Sequence, residues 1–189
     1  MTDDAVCLDQ TQAWVESFVV AHDICPFARR EMERGSIRYE ATSARSFEAA
    51  LLALIEECRR LDEDSGIQTT VLVLTDGAED FDDYLDLLGL AEALLEDQGY
   101  EGVYQLASFH PNYCFHGVEE SDPANYTNRS PWPMLHLLRE ESIERALAGF
   151  AHPERIPERN VTLLREMGNE RLAAQIADAQ PLKSGNREP

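Results

Sequence analysis

The residues best suited to chemistry lie in three short stretches. Ser108–Gly117, SFHPNYCFHG, places His110, Cys114 and His116 close together. Imidazole and thiolate are zinc ligands, so the trio offers three donors on one loop. Yet H-x3-C-x-H fits no zinc-finger or zinc-protease spacing, and no second cluster supplies further ligands. Cys114, between Tyr113 and Phe115, reads as a small hydrophobe, and His116-Gly117 as a turn. His110 stands apart. It leaves an apolar strand at the end where parallel sheets place their ligands.

The second stretch is ICPFARREMERG. Cys25 is expected at or beside the N-cap of a short helix, with Pro26 at the first helical position and Gly35 as its stop. Free N–H groups at a helix start favour a thiolate, which makes Cys25 a candidate nucleophile or redox thiol. A buried inert cysteine is the plainer reading. His22 can act as its base, or as a core histidine bonded to a backbone carbonyl.

The third stretch is TNRSPWPMLHLLREESIERALAGF. Read as a helix at 100° per residue, it gathers Leu135, Leu138, Ile143, Ala146, Leu147 and Phe150 into one apolar sector. Arg139 then points into the centre of that sector, and His136 lies within it. A buried guanidinium needs a partner. That partner is either an internal carboxylate or an anionic ligand. Arg129 and Asn128, just upstream, would complete an anion clamp with Arg139 near a helix start. His110 or His136 would then move a proton.

Other motifs point nowhere. There is no GxSxG elbow, no GxGxxG and no Walker loop, and no segment has a calcium-loop pattern. The only lysine is Lys183, which removes Schiff-base chemistry and a phosphate-loop lysine from the body of the chain. No cofactor is signalled.

The elements that must position these residues follow from periodicity. A helix is expected from Asp9 to about Asp23, with Trp14, Val15, Phe18 and Val19 at helical spacing. SIRYEA reads as a strand. SFEAALLALIEECRRL reads as a helix with Phe47, Leu51, Leu54, Ile55, Cys58 and Leu61 on one face. IQTTVLVL reads as a buried strand leaving through the turn Thr75-Asp76-Gly77. DFDDYLDLLGLAEALLEDQG reads as a helix stopped by Gly99, and GVYQLASF as a third strand. His110–Pro133 is a long Pro/Asn/Gly-rich connection, and such segments are often functional. PERNVTLLREMG and NERLAAQIADAQ read as helices. This order predicts an α/β domain with a small, mainly parallel three-stranded or mixed sheet, flanked by helices and followed by a helical segment. A ferredoxin-like α+β arrangement is the alternative. One domain is expected over residues 1–179, with a flexible tail over 180–189.

Composition bounds the partners. In 189 residues, 36 acidic against 16 basic side chains give a net charge of −20, which repels nucleic acid. No run is long enough to span a membrane, and the opening MTDDAVCLDQ has no leader pattern. The four cysteines form no CxxC pair, which fits a reduced, cytoplasmic setting.

ICPFA, DYLDLLGLAEALL, SFHPNYCF and NYTNRSPWPMLHLLREESIERA resemble the uncharacterised family catalogued as domain of unknown function 1415 over roughly Gln10 to Met167. The resemblance implies a small soluble protein and brings no known activity. The family pattern includes Cys25, Pro26, Phe27, His110, Pro111, Tyr113, Asn128, Arg129, Pro131, His136, Arg139 and Glu140. It has Gln at the Cys114 position and a small residue at His116, which weakens a metal trio further. It implies that His110, Arg129, His136 and Arg139 belong to one site. The sequence thus points to a small enzyme on a carboxylate or phosphate substrate, with Cys25, His110 and His136 catalytic and Asn128, Arg129 and Arg139 binding. The alternatives are a His/Cys metal protein and a non-catalytic protein whose Arg residues are structural.

Overall fold

The computed structural model describes residues 3–179. The expected tail, residues 180–189, lies outside them. Chain order is α1 (Asp4–Trp14), a π-helical continuation (Val15–Val20), α2 (Ala28–Arg34), β1 (Ile37–Thr42), α3 (Phe47–Glu63), β2 (Thr69–Leu74) and α4 (Phe81–Asp97). Then come β3 (Tyr104–Phe109), a 3-10 turn (Pro123–Thr127), β4 (Met134–Arg139), α5 (Glu140–Leu147), a second 3-10 turn (Pro153–Arg155), α6 (Ile156–Met167) and α7 (Asn169–Asp178). The starts of α3 and α4 follow capping chemistry: Ser46 accepts the Ala49 N–H ahead of α3, and Asp80 accepts those of Asp82 and Asp83 ahead of α4. Gly35 closes α2 in the left-handed region, at φ 66°.

The sheet has four strands in the order β1-β2-β4-β3. β1 and β2 are parallel, and β4 runs antiparallel to both β2 and β3. The three expected strands therefore point the same way, and β4 is an addition inserted between two of them. The α/β class holds; the sheet is mixed. Both crossovers, through α3 and α4, lie on one face, as right-handed connections progressing in one direction require. α1, its π-helical continuation, α6 and α7 cover the other face.

The expected helix over Met134–Phe150 is corrected by the structure. Its first six residues are β4, and the helix starts only at Glu140. MLHLLR is apolar on both sides because β4 is a central strand with both faces covered, and such a strand does not alternate. Leu135, Leu137 and Arg139 face α3 and α4, while Met134, His136 and Leu138 face the other layer.

Candidate functional site

His136 sits in a lateral row with Tyr39, Val71 and Ala107, all on the α1/α6/α7 side of the sheet. Its Nε2 lies 2.6 Å from Thr69 Oγ1, and that hydroxyl donates to the Leu137 carbonyl at 2.5 Å. With the hydroxyl proton committed, Nε2 must be the protonated nitrogen and Nδ1 carries the lone pair. Among the described residues Nδ1 has no partner, and it is not among the polar atoms sealed from solvent. Burial pushes the ring pKa down to about 4, so His136 is neutral at pH 7. Phe109 packs on it at 6.0 Å and on Trp14 edge-to-face at 5.6 Å. The buried indole N–H of Trp14, in the same layer, has no partner among the described residues. Tyr39, also in this layer, has its phenol pushed up to about 12 by burial. Cys25 packs against the layer too. It precedes the N-cap Phe27 by two residues. Burial raises its thiol pKa, and hydrogen bonding to the Phe27 and Ala28 N–H groups offsets part of that rise.

His110 is at the expected sheet edge but is fully buried on the opposite side. Its Nδ1 accepts the Asn112 N–H at 3.0 Å, so Nε2 donates to the Ala78 carbonyl at 3.1 Å. Both nitrogens are thus occupied, and the ring is packed between Phe81 and Tyr84. Burial lowers its pKa, with the Ala78 bond opposing. The imidazole joins the turn after β2 to the chain leaving β3. At that turn Gly77, at φ +85°, lets the backbone pass where a Cβ would sit 2.6 Å from the Ala44 carbonyl. The acidic cleft beside it holds Asp4, Asp76 and Glu79 with Arg45, and Arg45 is bound to Asp76 at 2.6 Å. Such a cleft does not favour anions.

The long connection is ordered from within. Asn125, fully buried, accepts the Phe115 N–H and donates to the Glu119 and Glu120 carbonyls. Asn128 donates to the Ser108 carbonyl at 2.8 Å and accepts the His110 N–H through its own carbonyl. Arg129 donates to the carbonyls of Tyr113 at 3.0 Å and Glu120 at 2.8 Å, and lies over the Tyr126 ring. Cys114 turns toward the Val118 carbonyl, and His116 is exposed, so the trio does not converge. Among the described residues no three His, Cys, Asp or Glu side chains are grouped to hold a metal.

Arg139 is at the other end of the sheet. It donates to the carbonyls of Leu61, Asp64 and Ile67, at the exit of α3, and to Tyr104 Oη. Tyr104 and Tyr100 in turn share the Asp62 carboxylate at 2.6 and 2.9 Å. β4 pairs Met134 with Phe109 and Arg139 with Tyr104. Five residues of strand, roughly 17 Å, therefore separate Arg139 from the His110 and Arg129 end.

A family model described as protein of unknown function, DUF1415, matches residues 6–174. The chain belongs to that family. No curated protein and no solved structure matches it. The residues expected to share one site do not form one pocket. His110, Asn128 and Arg129 fasten the long loop, Arg139 fastens α3, and His136 and Cys25 belong to the opposite layer. His22, considered as a base for Cys25, bonds Gln175 of α7 and packs on Phe18.

Two participants escaped the sequence. Thr69, which fixes the His136 ring, sits in IQTTVLVL, where alternation gives its face but not its partner on β4. Tyr39 lies in a strand whose neighbours alone reveal that it shares a row with His136.

Proposed function

We propose that the chain is a small-molecule-binding protein whose site is the His136 face of the sheet. Its ligand is mainly apolar and uncharged, with a hydrogen-bond donor directed at His136 Nδ1. One observation carries this reading: of the residues singled out for chemistry, His136 alone combines a fixed ring, an enforced neutral state and an uncommitted nitrogen. A hydroxyl that orients an imidazole whose other nitrogen is free is the arrangement expected of a base or acceptor held by a third group. Proton abstraction at that nitrogen is the catalytic form of the reading, with the Cys25 thiol in the same layer. Arg129 and Arg139 act as staples of the fold. An anion clamp would have to break their bonds to main-chain carbonyls and bridge the length of the sheet.

The test is a thermal-shift screen of uncharged and anionic small molecules on wild type and His136→Gln. Uncharged hits are expected to lose at least about tenfold in affinity in the variant, which corresponds to one charge-free hydrogen bond plus fit. Hits that stabilise both proteins equally, or anions whose binding disappears in Arg129→Met, would overturn the proposal.

A further inference from the structure

We infer that α5 and the segment after it form a strap that gates the His136 face, an inference that rests on the reading of that face as the binding site. The strap begins where β4 ends, next to Leu138, the half-buried neighbour of His136 on the same face. Its start is fastened: the Glu140 N–H donates to the Val103 carbonyl, and Ser142 donates to Gln68. Its far end is fastened as well, where Arg159 of α6 donates to the His22 and Asp23 carbonyls and Asn160 donates to that of Ile24.

Between these ends the strap is loosely held. Among the described residues, residues 143–158 make no hydrogen bond or ion pair to another element; Arg145 bonds only Glu141 and Ser142 of its own helix, and His152 only Glu154. α5 is amphipathic, with Ile143, Ala146 and Leu147 at helical spacing, yet none of its residues is buried. A helix with an apolar stripe and no buried residue has not found a sealed resting place. The one aromatic anchor is Phe150, whose ring meets Phe27 edge-on at 5.6 Å while remaining 42 % exposed. Phe27 is the N-cap of α2, two residues after Cys25, whose side chain packs against the same layer as Trp14 and Phe109. Release of Phe150 therefore frees the ring that closes the head of α2 and opens the layer shared by Cys25 and His136.

The test needs no ligand, so its failure is separable from failure of the binding proposal. Wild type and Phe150→Ala are treated with N-ethylmaleimide under native conditions, and modification of Cys25 is followed by peptide mass spectrometry. Cys7 and Cys58, both fully buried, serve as internal controls for global unfolding. Losing one aromatic pair predicts an increase of about fivefold to tenfold in the Cys25 rate. Faster hydrogen exchange over 147–153 is expected alongside it, with the melting temperature unchanged. A Cys25 rate equal to that of wild type, or a rise in Cys7 and Cys58 together with Cys25, overturns the strap.

Discussion

The two faces of the sheet use the same four strands and end in different states. Toward α3 and α4, Leu72, Leu135 and Leu137 are fully buried, and Tyr84 Oη donates to the Met134 carbonyl while accepting the Phe109 N–H. His110 and Arg139 lie on this side, His110 donating to a main-chain carbonyl and Arg139 to three of them and to Tyr104 Oη. Toward α1, α6 and α7, Val71, Val73 and Met134 are sealed, but His136, Leu138 and Ala107 are only half-buried. Among the described residues each face keeps one sealed polar atom without a partner, the Trp14 indole N–H here and the Thr70 hydroxyl toward α3 and α4, but this face adds the His136 Nδ1, unpaired and within reach of solvent. Each sealed orphan costs roughly 1–3 kcal/mol, and an acceptor that solvent or a ligand can reach escapes that cost. The half-buried face with a reachable, unpaired acceptor is therefore where a ligand has something to gain.

That contrast predicts the largest effect on the sealed side. Leu135→Ala removes a fully buried side chain from a face with no room to relax, and should cost about 4 kcal/mol in denaturant unfolding. Leu138→Ala, three residues along the same strand on the open face, should cost about 1–2 kcal/mol. Equal losses would mean that both faces are equally packed and would remove the basis for the comparison.

Arg139→Met comes next. It strips charged donors from three carbonyls at the exit of α3 and should lower stability by about 2–3 kcal/mol. Ligands that depend on His136 should bind the folded variant as they bind wild type. A variant of unchanged stability that loses such ligands would move the site to the other face.

How much of this was legible depends on the range of the interaction involved. α3 and α4 are local matters of periodicity, so they could be read directly. The three co-directional strands followed from the alternation of β and α segments. β4 could not be read, because a strand buried on both faces carries no period of two, and MLHLLR also satisfies a helical wheel. Arg139 then fell into the wrong environment: on the wheel it looked stranded in an apolar sector, whereas its partners are carbonyls from Leu61 to Ile67, far away in sequence. His110 was correctly placed at the carboxyl edge of the strands, but its occupation by Ala78 and Asn112 depends on how two loops meet.

The smallest effect sharpens the comparison through pH. His136 titrates at about 4 in the folded protein, against an ordinary value near 6.5 for the unfolded chain. Between those values the unfolded chain binds a proton that the folded protein refuses. Stability from this group is thus complete above about pH 6.5, falls as the pH drops, and is lost below about pH 4. The shift corresponds to roughly 3 kcal/mol at full burial; solvent reaching Nδ1 reduces it to about 2 kcal/mol. His110, also lowered by burial, contributes in the same direction from the other face. His136→Gln should therefore flatten the decline between pH 6.5 and 4 by about 2 kcal/mol and leave the His110 part in place. Chemical denaturation at closely spaced pH values measures this directly. A decline as steep in the variant as in wild type would mean that His136 is solvated well enough to charge freely, and the open face would then lack its neutral acceptor.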